Sequence, residues 1–345
     1  MSPQLSALFP TLTTSYILAF QLSSWYPQFA HLSIKSTIIR PLSQQFCDYL
    51  DADGVFVPEG SDDVPTESTL TDDDEDDEDP DEPINRFSFP ELDTKIRECI
   101  KEYGSVFPKL NFSSPKDASW ILPPSSPLKC TSPADVYLLL KSSDFISHDI
   151  STESVFEGCD DRPPPDAYRL ELVLRKWYSV DRSRELRCFV RSNILIGISQ
   201  RDTNYYEFLN DPTTRDTIIS TVQQFWQSNI ETIWKSIADY TFDLLLTRDL
   251  TRAHILDFNP YAPRTDSLLF TYDDLFNILL TRNIGDDEHA ELRVVDSRTH
   301  PAATSNAPAH QHNMVPFEAL SMSSGRDIEE FADVWRENIQ QSMTE

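Results

Sequence analysis

Tyr240-Thr-Phe-Asp-Leu-Leu-Leu246 and His254-Ile-Leu-Asp-Phe-Asn-Pro260 decide how the chain is read. Both stretches alternate polar and apolar residues, the period of a half-buried strand. Residues 247–251 between them are few and polar, so a hairpin is the simplest connection. A register that sets Asp243 opposite Asp257 puts Phe242, Leu244, Leu246, Leu256 and Phe258 on one face. The other face then carries Asp243, Asp257 and, two residues on, Asn259. Opposed side chains lie about 5 Å apart, and like charges so placed repel. Two carboxylates and an amide oxygen on one face suit a hard cation such as Mg2+, which commonly brings phosphate oxygens with it. The alternative is an exposed acidic strand face with no ligand.

The chain has 345 residues, 39% hydrophobic and 11% aromatic. That is enough for two domains, or one large two-lobed domain with a real core. The net charge is −28. Thirteen acidic residues lie between Asp62 and Glu82 with no Lys or Arg among them, and without them the balance is still −15. Such a surface argues against direct nucleic-acid binding, which needs basic groups for the phosphate backbone. It fits a basic protein partner. Cys47, Cys99, Cys130, Cys159 and Cys188 are odd in number and lack metal-ligand spacing. They read as reduced thiols of the cytosol or nucleus, and a cytoplasmic location is expected. Residues 1–29 have neither the charged start of a signal peptide nor an unbroken apolar span, so no membrane association is expected.

Residues 1–60 are assigned to the N-terminal part of a first lobe, with a strand in Ile34-Lys-Ser-Thr-Ile-Ile-Arg-Pro-Leu42 stopped by Pro41. Residues 61–83 form an acidic insertion whose self-repulsion and lack of apolar residues predict disorder. The first lobe resumes over 84–168. There Leu92, Ile96, Cys99, Ile100 and Tyr103 follow helical spacing, Gly104 stops that helix, and a strand follows through Asn111. Ser132, Pro133 and Asp135 mark the start of a capped helix that buries Val136, Leu139 and Leu140.

A second lobe is assigned to 169–285. Strands are predicted at 170–177, 185–191 and 194–200, the last two joined by Ser192-Asn193. That register places Glu185 and Arg187 on one face with Gln200. A long helix over 213–235 carries the stripe Ile218, Ile219, Val222, Phe225, Trp226 and Ile230. A further helix, capped near Thr271, carries Leu275, Phe276, Leu279 and Leu280. Residues 286–345 read as a polar C-terminal tail that ends in a short amphipathic segment with Ile328, Phe331 and Trp335.

Binding a nucleotide triphosphate requires cations for the phosphates as well as a metal. Lys109 sits in Phe107-Pro-Lys-Leu-Asn111, where Phe and Leu can anchor a strand and leave the lysine free. Arg175 and Lys176 are adjacent in an apolar strand, so only one of them can face a given cleft. Arg187 offers a fork that matches phosphate oxygens.

The order Lys, Arg-Lys, Arg, then Asp and Asp-Phe-Asn resembles the ATP-grasp superfamily, which holds nucleotide between two α+β lobes. Longer strings are similar to the cell division cycle protein 123 family. These are Phe107-Pro-Lys-Leu-Asn111, Ser114-Pro-Lys-Asp-Ala118, Lys141-Ser-Ser-Asp-Phe-Ile146, Leu172-Val-Leu-Arg-Lys-Trp177, Glu185-Leu-Arg-Cys-Phe-Val190, Ile196-Gly-Ile-Ser-Gln-Arg-Asp202 and Ile255-Leu-Asp-Phe-Asn-Pro260. The resemblance implies an α+β, two-lobed ATP-grasp fold with mixed or antiparallel sheets. It implies ATP and Mg2+ as ligands, and an assembly factor for eukaryotic translation initiation factor 2 whose client is the gamma subunit. By motif, Lys109 and Lys176 are the two grasp lysines, Trp177 belongs to the adenine hinge, and Asp243, Asp257 and Asn259 are metal ligands. Asn111, Asp117, Arg175, Arg187, Arg201 and Asp202 fall in matching strings and are assigned to the ATP site. Seven glycines, none clustered, depart from the Gly-rich lid usual in ligases of the superfamily. The expected protein is a monomeric, nucleotide-dependent chaperone. The alternative is a carboxylate–amine ligase working through an acyl phosphate, with Arg187 or Arg201 on the developing charge.

Overall fold

The structure is a computed structural model that describes residues 7–62, 87–123, 125–164, 166–282 and 289–305. Most of the acidic insertion, and the segment carrying Ile328, Phe331 and Trp335, lie outside the described residues.

Helices α1 (Thr14–Ala19) and α2 (Leu22–Phe29) precede strand β1 (Ser36–Ile39) and helix α3 (Gln44–Asp51). Helix α4 (Pro90–Tyr103), strand β2 (Val106–Lys109), helices α5 (Pro133–Lys141), α6 (Asp144–Ile150) and α7 (Thr152–Val155), and strand β3 (Leu172–Lys176) follow. Local chemistry explains their limits. Proline opens α4, and Gly104, at φ 81°, ends it in the left-handed region that a side chain would strain. The expected capping box is present at α5, where Ser132 accepts from the Asp135 N–H and Asp135 accepts from the Ser132 N–H. The three strands form an antiparallel sheet in the order β1-β3-β2.

The second sheet contains β4 (Glu185–Arg191), β5 (Ile194–Gln200), β6 (Tyr240–Leu246), β7 (Ala253–Pro260) and β8 (Glu291–Arg293), in the order β7-β6-β4-β5-β8. Only the β5–β8 pair is parallel. Helices α8 (Pro212–Trp226) and α9 (Tyr272–Arg282) complete this part. Ser192 and Asn193 both have positive φ, 52° and 57°, as a two-residue hairpin turn requires.

Strand β3 separates two cores. Leu172 and Leu174 join Phe46, Tyr49, Phe89 and Tyr137 in one. Val173, on the opposite face, joins Trp25 and Phe29 of α2, Trp226 of α8, and Phe242, Leu244 and Phe258 of the second sheet in the other. Helix α9 covers part of that sheet's other face, packing Leu275 and Leu279 against Phe189 and Ile196. Gly197 permits the approach, because a Cβ there would come within 2.8 Å of the Leu275 side chain.

Several sequence expectations require correction. Asp243 faces Asp257 and Thr241 faces Asn259 as expected, but a bulge after Asp243 moves the register by one residue. Ile255 therefore faces Leu244 and enters the core, while Leu256 is only half-buried. A second bulge, at Phe189/Val190, pairs Arg187 with Ser199 and moves Gln200 opposite Leu186. Glu185 and Arg187 thus share a face with Ser199 and not with Gln200. The helix expected over 213–235 ends as α-helix at Trp226 and continues in a π turn, Gln227–Glu231, which still buries Ile230. Part of the expected polar tail belongs to the sheet, since β8 pairs with β5 and Leu292 and Val295 are buried. The acidic insertion starts from a fixed point, with Ser61 buried and its hydroxyl donating to the Pro58 carbonyl at 2.6 Å.

Trp234 fills the end of the second core, with ring centroids 4.3 Å from Phe258, 5.1 Å from Tyr240 and 5.6 Å from Phe20. Trp234→Ala should lower the free energy of unfolding by about 3–5 kcal/mol, read from a urea titration.

Candidate functional site

Three strands of the second sheet align charges in one row. Arg187 of β4 lies opposite Asp243 of β6, and Asp243 lies opposite Asp257 of β7. The two carboxylates would repel at this separation, and each has acquired a cation. Arg187 donates to both oxygens of Asp243, from Nε at 2.7 Å and from Nη2 at 2.9 Å, and gives Nη1 to the Asp266 carbonyl at 2.8 Å. Arg201 approaches Asp243 at 3.6 Å and pairs with Glu185 at 3.0 Å. Lys109, from the first sheet, donates to Asp257 Oδ2 at 2.8 Å and also to the Phe112 carbonyl.

Burial fixes the ionisation of this row. Asp243 is 2% exposed. Burial opposes its charge, but Arg187 and Arg201 outweigh it and hold its pKa below the ordinary carboxylate range. Burial likewise disfavours the charge of Arg187, and Asp243 more than compensates, so the guanidinium pKa is raised.

A buried acid positions Lys109. Asp149 accepts from the Phe112 N–H at 2.7 Å, the Ser113 N–H at 2.9 Å and the Ser113 hydroxyl at 2.8 Å. It therefore holds the turn whose Phe112 carbonyl receives the lysine. Asp149 was not among the sequence candidates, because nothing local in His148-Asp-Ile150 reveals a bond to residues 112 and 113.

Register decides between Arg175 and Lys176. Arg175 lies opposite Phe107, two positions from the Val173–Lys109 pair, so it shares a face with Lys109. Lys176 takes the other face and lies 5.4 Å from the Tyr178 ring. Arg175 is only 7% exposed, and neither its Nε nor its Nη2 has a hydrogen-bond partner among the described residues. Burial pushes its pKa down, and nearby Asp257 and Tyr26 offset part of that cost. Lys116 is a second cation not named from the sequence. It stays open to solvent but lies close enough to Arg201, Glu185, Asp243 and Asp257 to feel their charges. Crowding by protein and the charge of Arg201 push its pKa below the ordinary lysine range.

Other sequence candidates are engaged elsewhere. The Asn111 amide donates to the Arg169 carbonyl and accepts from the Glu171 N–H, tying β2 to the approach to β3. Asp117 caps α6 from outside, accepting from the Ser143 hydroxyl and the Asp144 and Phe145 N–H groups. Asp202 closes a turn on Asn204. Trp177 gives its ring N–H to the Pro127 carbonyl and carries Lys129 5.3 Å from its ring.

No three His, Cys, Asp or Glu side chains among the described residues converge as a metal-ligand group. The available donors are those of the β6–β7 face. Asp257 is half-buried and exposes part of its carboxylate, with Oδ1 accepting the Phe258 N–H. Asn259 is half-buried and its side chain makes no hydrogen bond among the described residues. Asp243 can offer only the lone pairs that Arg187 leaves. A carboxylate, a free amide oxygen and a shared second carboxylate fit a hard divalent cation completed by ligand oxygens.

The sequence profile of the D123 family matches residues 25–323. The chain belongs to the D123 family. A Xenopus tropicalis protein named translation initiation factor eIF2 assembly protein is 37% identical, over 93% of this chain and 96% of its own length. A Schizosaccharomyces pombe protein of the same name is 34% identical, over 94% and 97%. The solved structure of Cdc123 from Schizosaccharomyces pombe superposes with a TM-score of 0.66 at 33% identity, covering 84% of this chain and 100% of that one. The α+β architecture is thus shared with that solved structure.

Arg187→Ala would strand a buried carboxylate and should cost about 3–5 kcal/mol of stability, measured by urea unfolding. The depressed pKa of Asp243 has a definite sign. Its contribution is present above the unfolded carboxyl pKa of about 3.9 and is lost as pH falls through the lower folded value. Denaturant melts across acidic pH should therefore show a shallower loss of stability for Asp243→Asn than for the parent.

Proposed function

We propose that the chain is an ATP- and magnesium-binding assembly factor for eukaryotic translation initiation factor 2, acting on the gamma subunit. The observation that carries the nucleotide reading is Arg175. A guanidinium with two buried donors unpaired, on the same face as Lys109 and close to Asp257, carries a desolvation cost that the protein alone does not offset. A phosphate group supplies both the missing charge and the missing acceptors. Lys109 would share the phosphates, and Asp257, Asn259 and the remaining capacity of Asp243 would hold magnesium. Bound magnesium would neutralise phosphate charge. Trp177, at the end of β3, is assigned to the adenine side by family resemblance; Lys176, which the resemblance makes the second grasp lysine, takes the face opposite Lys109, so the proposal gives the phosphate role on β3 to Arg175.

The assembly role rests on the shared family and on the names that its members carry. A chain of net charge −28 suits a client surface rich in Lys and Arg, with association slowed by salt. No helix among the described residues is long and apolar enough to cross a membrane. A cytoplasmic monomer is part of the proposal.

Calorimetric titration with ATP, with and without Mg2+, tests the site. Arg175→Met removes an unpaired buried charge, so its melting temperature should equal or exceed the parent's. Its ATP affinity should fall roughly ten- to hundredfold, corresponding to about 1.5–3 kcal/mol. A folded Arg175→Met protein that binds ATP like the parent would overturn the nucleotide assignment. Failure of the parent to bind isolated gamma subunit at low salt, with or without Mg2+–ATP, would overturn the assembly role.

A further inference from the structure

The face that carries the candidate metal donors holds enough cations to neutralise its acids. Its carboxylates are Asp243, Asp257 and Glu185, with Asp266 beside Arg187. Facing them are Lys109, Arg187 and Arg201, with Arg175 and Lys116 close enough to feel the same acids. With Asp266 also acting on Arg187 and the charge of Lys116 weakened near neutral pH, the cations and carboxylates of this face nearly balance, in a chain of net charge −28. A free dication gains little from carboxylates that are already neutralised, whereas a polyphosphate can draw on the cations beside them.

The contact geometry sharpens the point. Asp257 Oδ2 is already engaged by Lys109 at 2.8 Å, and the lysine side chain is only 2% exposed against 20% for the aspartate. Lys109 is also tied to the Phe112 carbonyl, which Asp149 clamps in place. The ammonium is therefore a fixed counter-ion on the most accessible carboxylate of the row. Both oxygens of Asp243 are engaged by Arg187.

We propose that Lys109 is the resident counter-ion of Asp257 and keeps the site closed to free divalent cations until a polyphosphate draws the lysine away. This rests on the nucleotide reading above and adds an order to it. The phosphate binds first, or arrives with its metal, and metal alone does not bind. Linkage makes the effect reciprocal, so whatever factor phosphate adds to metal affinity, metal adds to phosphate affinity. In the unliganded protein the pair also gives the buried ammonium of Lys109 a counter-charge in the half-buried carboxylate of Asp257.

Mn2+ binding followed by electron paramagnetic resonance tests the lock without any turnover. The full-length parent should bind Mn2+ at least tenfold more weakly alone than with ATP present, after correction for Mn2+–ATP in solution. Lys109→Met, checked for folding by circular dichroism, should bind Mn2+ alone roughly tenfold more tightly than the parent, about 1.4 kcal/mol, while losing ATP affinity. If the parent binds Mn2+ alone as tightly as with ATP, the lock is wrong, and this measurement needs no variant. The lock is also wrong if folded Lys109→Met gains no Mn2+ affinity. In both of these cases ATP binding persists in the parent. Absence of ATP binding to the parent under every condition removes the nucleotide reading itself.

Discussion

Two aspartates facing each other across adjacent strands set the terms for everything around them. Asp243 and Asp257 occupy a directly opposed pair, where like charges destabilise a sheet. The structure answers from two directions. Arg187 reaches Asp243 from the neighbouring strand, and Lys109 reaches Asp257 from another sheet. The second answer reaches beyond the pair itself. It ties β2 to β7, and it requires the Phe112 turn, which in turn requires Asp149. One repulsive contact thus accounts for a chain of buried polar groups extending from the second sheet to the first.

Much of this site was legible because strand alternation is a strict rule. Reading Asp243, Asp257 and Asn259 onto one face needed only a period of two and a short polar connection. The rule also showed that Arg175 and Lys176 could not share a cleft, although it could not say which would enter. Pairing settled that, because Lys109 and Val173 are partners and Arg175 follows Val173 by two. The bulges were not legible. The extra residue near Leu256 has no glycine or proline beside it, and although Gly197 follows the one at Ile196, a single glycine does not fix where a strand slips. Asp149 and Lys116 escaped for a different reason, since their partners are distant in sequence. Strand β8 carries an alternation, Ala290, Leu292 and Val294 against Glu291 and Arg293, but at three residues it is too brief for periodicity to register.

Asn111 and Asp117 show that residues in a matching string can also hold the fold. Both residues are engaged fully by their own fold, one stapling β2 toward β3 and the other capping α6. Such residues hold the elements that carry the charges. Arg175 differs, because it is buried while its Nε and Nη2 have no hydrogen-bond partner among the described residues.

Strand β3 carries a consequence for how the molecule comes apart. Its even-numbered leucines belong to one core and Val173 belongs to the other, so neither core can be dismantled while β3 stays in place for its neighbour. The two sheets are therefore not independent foldons. Amide protons of β3 should be among the slowest to exchange, at rates set by global opening, and loss of either core should bring the other down in a single cooperative step.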